Sequence, residues 1–282
     1  MAHLTILVDN CVRGPGLLAQ HGFAAWLDTG ASRVLFDTGA TGRVLAENAA
    51  CLGVDLSTAT DVVLSHGHWD HGGGMALVLE TCPCARIWIP AGAFLPRWHR
   101  TDTSMRDIAL PRVVRELLFT ERDRWTETTG PVRISDGIWL TGPIAGPRPE
   151  WTHRHLVRNE ILDIPDEVPE EQALVLDAPD GLMVVVGCAH FGLDNLLDHL
   201  AVRFPDRPLG ILVGGLHLES APEPQLPRLA DRLRKAGSKL VVPCHCTGMS
   251  AAHRLASMEG FACEQGLVGK TLSFSARMDH HQ

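Results

Sequence analysis

The chain has 282 residues, 45% of them hydrophobic and 21% charged, with a formal net charge of −8 at pH 7. This composition supplies one sizeable core and excludes disorder, and no apolar run approaches the roughly 18 to 20 residues of a membrane-spanning helix. The acidic balance lacks the basic face that non-specific grip on nucleic acid or an anionic membrane requires, so neither is an expected partner.

In chain order, residues 1–9 carry no basic start and no long apolar region, so they read as a first strand over 3–8 and not as a signal peptide. A cytoplasmic location is expected, with the eight cysteines reduced. Strands follow over 24–28, 33–36 and 61–65, with a helix over 42–51 between the last two. A polar cluster at 65–74 leads into a helix over 74–80 and a strand over 86–89. After residues 97–158, which include a strand over 138–140, strands are expected over 172–176, 182–186, 209–213 and 239–242. Helices over 193–204 and 225–235 separate the last three strands. Runs such as Val62-Val63-Leu64 and Met183-Val184-Val185-Val186 have no polar alternation, as expected of strands covered on both faces in a layered α/β fold.

Residues 97–158 differ in character. They hold 11 arginines against 8 acidic residues, a local net of +3, while the rest of the chain carries −11. Pro96 at its edge and five prolines within it break the stretch, which reads as an insertion or lid within a single domain over 1–282, or as a solvated surface excursion.

The most specific signal is Ser65-His66-Gly67-His68-Trp69-Asp70-His71-Gly72-Gly73-Gly74, placed directly after a buried strand. Three imidazoles and a carboxylate within six residues form a set of metal ligands. His66 and His68, two apart in extended chain, can turn to one side and chelate one ion, while Asp70 and His71 beyond the turn point at a second. A histidine-rich surface loop is the plainer alternative, and an ordered cluster after an apolar strand disfavours it.

On this motif the chain resembles the metallo-β-lactamase-fold superfamily. The resemblance implies a four-layer αββα sandwich. Leu35-Phe36-Asp37-Thr38-Gly39 looks like the upstream motif whose carboxylate supports the metal loop, although a turn-forming Asp37 would read the same way. More narrowly, the chain is similar to the branch of 7,8-dihydropterin-6-methyl-4-(β-ribofuranosyl)aminobenzene 5'-phosphate synthase and related metal-dependent hydrolases. That likeness rests on Leu7-Val8-Asp9-Asn10, Gly187-Cys188-Ala189-His190, Gly214-Gly215-Leu216-His217-Leu218 and His245-Cys246-Thr247-Gly248.

Four residues cannot close two metal sites. His190 and His245 each follow an apolar strand, at the strand ends where open α/β sheets place ligands. His190 is assigned to the ion held by His66 and His68, and His245 to that held by Asp70 and His71. Cys188 stands where a dinuclear member of the superfamily carries a bridging Asp. It reads as a thiolate ligand or as a small buried hydrophobe, and the buried reading is favoured because a bridging hydroxide and Asp70 suffice without it. His217 is a ligand, a proton donor or a turn anchor. The pairs Cys82-Pro83-Cys84 and Cys244-His245-Cys246 are too closely spaced for a separate zinc knuckle and are set aside.

The expected activity is hydrolysis of an anionic small molecule, an ester, phosphoester or lactone, by metal-bound hydroxide. Asp70 would be proton acceptor and His217 proton donor. Two divalent ions are expected, zinc by default, with manganese or iron admitted by the donor set. Arg97, Arg100 and Arg106 are the candidates for gripping substrate. The resemblance also raises group transfer from a phosphorylated pterin-like substrate to an aryl amine. A non-catalytic metal-binding or sensor protein is the third reading.

Overall fold

The apolar runs become strands buried on both faces in the computed structural model, which describes residues 1–159, 161 and 164–275. In Gly181–Val186, Leu182, Val184 and Val186 join a cluster with helices on the outside, whereas Met183 and Val185 enter a second cluster shared with another sheet. Ala24–Asp28 divides the same way, with Trp26 packed outward and Ala25 and Leu27 inward. Each such fully buried aliphatic side chain contributes about 1.5 to 3 kcal/mol relative to exposure.

Two seven-stranded mixed sheets result. The first runs in the order Thr271–Phe274, Ala2–Val8, Ala24–Asp28, Arg33–Phe36, Asp61–Val63, Arg86–Pro90, Trp125–Thr128. The second runs Ala262–Cys263, Leu240–Cys244, Leu209–Gly215, Gly181–Val186, Leu174–Ala178, Ile138–Leu140, Val132–Ser135. Helices Gly42–Cys51, Met75–Thr81 and Arg112–Thr120 cover the first sheet through Leu45, Val78 and Leu118. Helices Leu193–Arg203, Gln225–Lys235 and Met249–Ala256 cover the second through Leu196, Leu229 and Leu255. Helices, sheet, sheet and helices give the four-layer α/β sandwich that the resemblance implied. No helix among the described residues is long and apolar enough to cross a membrane.

The stretch 97–158 is less of an insertion than its composition suggests. Trp125–Thr128 is an edge strand of the first sheet, Val132–Ser135 and Ile138–Leu140 belong to the second, and Leu118 and Trp125 sit in the core. Only Trp98–Arg100, Met105–Asp107 and Leu156–Val157 stand apart, as a small three-stranded sheet. Local charge separated this stretch in the sequence, while long-range strand pairing joins it to the sandwich.

The fold places the site through its parallel pairs. Phe36 pairs with Val63, Val186 with Gly214, and Gly215 with Cys244, so the chain leaves both sheets at one common edge. Asp37, the loop from Ser65, Cys188, His190, His217 and His245 all follow those strand ends.

Candidate metal centre

Strained backbone marks this edge. Asp37, Ala189, His217 and His245 adopt φ of 58°, 51°, 48° and 45°, a left-handed conformation that costs non-glycine residues free energy and persists where the surroundings impose it. Gly187 shows how close the two sheets come. A Cβ there would lie 2.3 Å from Ser65 Oγ and 3.0 Å from Asp37 Oδ2.

Asp37 is fully buried and holds the metal loop from below. It accepts from Ser65 N (2.7 Å, Oδ1), from Ser65 Oγ (2.7 Å, Oδ2) and from His71 Nδ1 (2.7 Å, Oδ2). Three further imidazoles have the same nitrogen engaged. His66 Nδ1 stands 2.8 Å from Ser65 Oγ, His190 Nδ1 2.7 Å from Thr152 O, and His245 Nδ1 2.9 Å from Asn10 Oδ1. In the neutral tautomer that donates Nδ1–H to its oxygen, each Nε2 carries its lone pair into the shared space. Such partners fix the tautomer and orientation of metal-ligating imidazoles.

Two positions emerge from the free donor atoms. His66, His68 and His190 offer nitrogens all within 4.8 Å of one another, and His66 Nε2 lies 2.9 Å from His68 Nδ1. His190 Nε2 is buried with no hydrogen-bond partner, an orphaned acceptor that a cation would satisfy. At the second position Asp70 Oδ2 is 3.3 Å from His245 Nε2 and 3.9 Å from His71 Nε2. Neutral nitrogens and one carboxylate, with Nδ1 of His66, His71, His190 and His245 engaged by protein oxygens, fit divalent ions such as zinc.

Electrostatics agree with neutral donors at the first position. Burial, then the neighbouring imidazoles His71 and His68, holds His66 well below the ordinary histidine value; burial and Arg97 do so for His68, and burial and His217 for His190. Burial opposes charge on His71 too, yet the carboxylates of Asp37 and Asp70 raise it to about 9 in the ion-free chain. Burial works against ionisation of Asp70, but His71 and hydrogen bonds from His21 and His245 bring it well below the usual carboxylate range. For His217, burial is outweighed by Cys246 beside it, and the value is raised.

Several contributors were not legible as such in the sequence. His21 Nε2 reaches Asp70 Oδ2 at 3.2 Å, and its ligand atom lies within 4.8 Å of those of Asp70 and His245. Glu171 is fully buried, pushed up to about 7 by burial, and accepts from the backbone of Cys188 and Phe191. Cys246, set aside with its Cys-His-Cys pattern, groups with Cys188 and His245. Asp9 and Asn10, quoted only as part of a resemblance, hold His245 by its backbone N (2.8 Å) and ring.

The three arginines part company. Arg97 is corrected from a substrate contact to a buried anchor: it is 0% exposed, and its guanidinium is taken by Asp166 (2.9 Å), Glu170 (2.7 Å) and Gly92 O (3.1 Å). Glu170 in turn accepts from Gly67 N of the metal loop at 3.2 Å. Arg100 is half-buried and donates to Asn159 O. Arg106 alone is exposed beside the centre, its guanidinium 4.4 Å from the ring centroid of Trp69.

Replacement of Asp37 by Asn keeps the shape and removes the charge that orients His71. We expect metal affinity to fall by roughly 10 to 100-fold with the fold retained. Chelator competition measures the affinity and circular dichroism the fold; unchanged affinity would reduce Asp37 to a turn residue.

Comparison with known proteins agrees with this geometry. The family described as the metallo-beta-lactamase superfamily matches residues 19–245. An uncharacterised protein of Methanocaldococcus jannaschii is 29% identical over 95% of this chain and 99% of its own length. The 7,8-dihydropterin-6-methyl-4-(beta-D-ribofuranosyl)-aminobenzene-5'-phosphate synthase of the same organism is 24% identical over 91% of this chain and 90% of its own. A crystal structure described as a metal-dependent hydrolase of the beta-lactamase superfamily superposes with a TM-score of 0.82 at 28% identity, covering 98% of this chain and all of that one.

Proposed function

The chain belongs to the metallo-beta-lactamase superfamily, and from that premise we propose that it is a metal-dependent hydrolase that holds two divalent ions and acts on an anionic small molecule. One observation carries the reading: four imidazoles have Nδ1 engaged by protein oxygens while their other nitrogens converge with Asp70 on one edge of the sandwich. His66, His68 and His190 would hold one ion and Asp70, His71 and His245 the other. When bound, such ions supply Lewis acidity and lower the pKa of a bound water toward about 7.

The chain's own residues do the rest. Asp70 Oδ2, placed between His21, His71 and His245, is the proton acceptor of the site. His217 Nδ1 is buried without a hydrogen-bond partner, and Cys246 favours its charged form, which suits a proton donor to the leaving group. Thr152 and Arg97 position the centre from outside the loop, the first on His190 and the second through Glu170 on Gly67. We place the reaction in the cytoplasm, with a small anionic substrate as partner and neither nucleic acid nor membrane.

Group transfer is the second reading, and the synthase relative in M. jannaschii favours it. Assay of zinc-loaded protein on phosphoesters and on a phosphorylated pterin-like substrate, with and without an aryl amine, tests both. Hydrolysis without amine supports the first reading, product containing the amine supports the second, and neither at stoichiometric metal defeats both.

Arg106, exposed over Trp69, is the residue best placed to meet a substrate phosphate. Arg106→Ala should raise KM for the phosphorylated member of a substrate pair about tenfold and leave kcat unchanged, the mark of binding lost equally from ground and transition states. Equal KM changes for phosphorylated and unphosphorylated members would remove the anion-binding role.

A further inference from the structure

Cys188 occupies a position that the reading above leaves without a task. Its Sγ is buried and 3.2 Å from His71 Nε2. Three different sets of donor atoms, each mutually within 4.8 Å, include it: one with His66 and His71, one with His190 and His217, and one with His245 and Cys246. The first and second reach residues of the His66, His68 and His190 position, while His71 and His245 belong to the other. No other side chain among the described residues recurs in three such sets.

Sulfur at this place has reasons in the backbone. Gly187 lets strand Gly181–Val186 end against Ser65 and Asp37, and Glu171 accepts from Cys188 N at 3.0 Å, so the residue is held at the seam of the two sheets. The Cys246 thiol lies beside it, 3.5 Å from Cys188 O. Gly215 is required there, because a Cβ on it would stand 2.6 Å from Cys246 Sγ. His190 and His217, grouped with it, each have a buried ring nitrogen with no partner, Nε2 and Nδ1 respectively. A purely apolar role for Cys188 would not surround its sulfur with imidazole nitrogens that lack partners.

We propose that Cys188 supplies a thiolate shared between the two metal positions, with Cys246 as a second sulfur donor on the side of His245. The inference rests on the metal-dependent reading above. Zinc binds sulfur at about 2.3 Å and imidazole at about 2.0 to 2.1 Å, so two such donors on one ion stand roughly 3.3 to 3.8 Å apart when arranged tetrahedrally. The 3.2 Å between Cys188 Sγ and His71 Nε2 lies close to that range. On binding, each thiol releases its proton to solvent and remains as thiolate. The consequence is selectivity: sulfur donors favour zinc and other thiophilic ions over manganese or magnesium. On this proposal Cys188 acts as a sulfur ligand, the alternative that the sequence reading placed second to a buried hydrophobe.

Cobalt(II) in place of the native ion tests this without any assay of activity. Cobalt-loaded wild-type protein should show a sulfur-to-metal charge-transfer band in the near ultraviolet, strongly reduced in Cys188→Ser and partly reduced in Cys246→Ser. Cys263→Ser, remote from the centre, serves as the control. Metal affinity of Cys188→Ser should fall more than about 100-fold, beyond the range of a merely orienting partner. A second readout uses only the wild-type chain, in case the serine variant does not fold. Differential alkylation with mass spectrometry should find Cys188 and Cys246 protected when zinc is bound and modified when it is stripped. Stoichiometric cobalt with no sulfur band overturns the shared thiolate and leaves the hydrolase reading intact. Equal alkylation with and without zinc does the same. Absence of metal uptake by the wild-type chain overturns both.

Discussion

Truncation of one imidazole of the metal loop, His68→Ala, should lower turnover of a phosphoester by roughly 10³-fold or more and remove metal from the protein. His68 Nδ1 faces His66 Nε2 at 2.9 Å, and burial with the nearby Arg97 charge keeps its ring neutral, the form that donates a lone pair. A bound ion's Lewis acidity is worth several kcal/mol of transition-state stabilisation, and each 1.36 kcal/mol is a factor of ten in rate. About 4 kcal/mol is then close to 10³-fold. Chelator-stripped wild-type protein should show a similar loss and recover when zinc is returned, whereas the variant should not. Stability gives an independent sign. Ion at 100 times its dissociation constant should stabilise the wild type by about 2.7 kcal/mol, seen as a rise in Tm that His68→Ala lacks. Elemental analysis that found full metal in His68→Ala, with turnover intact, would strike it from the ligands.

The parts of the fold that could be read in the sequence are those whose causes are local. Uninterrupted apolar runs such as Val62-Val63-Leu64 mark strands covered on both faces, and the long leucine-spaced stretch at 193–203 marks a helix with one buried face. Pieces whose causes are distant were not legible. Thr271–Phe274 is a strand because it pairs antiparallel with Ala2–Val8 at the other end of the chain. Met105–Asp107 is exposed at all three residues and has no hydrophobic alternation to announce it. The helix Arg112–Thr120 follows Pro111 in a stretch dominated by arginine, and only Val114 and Leu118 among its residues are buried.

The candidate site divides in the same way. His66, His68, Asp70 and His71 lie within six residues, so their joint chemistry is visible in one window. His21, Glu171 and Cys246 reach the site by other routes. His21 comes from the connection between the first two strands of one sheet, while Cys246 arrives because Gly215 pairs with Cys244 in the other. Register between strands is a property of the folded sheet, and no spacing in the chain encodes it. Arg97 was misread for a related reason. A charge count over 97–158 sums the arginines without regard to burial, and Arg97 is enclosed with Asp166 and Glu170.

That burial makes Arg97→Met the substitution with the largest expected cost to stability. Removing one partner of a buried ion pair leaves the other charge unpaired, which costs about 3 to 5 kcal/mol, a large part of the 5 to 15 kcal/mol that holds a typical domain folded. Here Asp166 and Glu170 are both deprived. Asp166 keeps Arg158 at 3.2 Å, and Glu170 keeps Gly67 N of the metal loop at 3.2 Å. Urea unfolding should show a lowered midpoint with an unchanged slope. Arg97→Lys should recover only part of the loss, because an ammonium lacks the planar fork that meets Asp166 and Glu170 on separate nitrogens. Pairing Arg97→Met with Glu170→Gln isolates the coupling. The double variant should be less destabilised than the sum of the singles by about 0.5 to 3 kcal/mol, since the second change removes the charge that the first stranded. A substrate-gripping arginine would behave in the opposite way. Arg97→Met would then raise KM for an anionic substrate and leave the unfolding midpoint where it was, and that pair of results would return Arg97 to the substrate's binding residues.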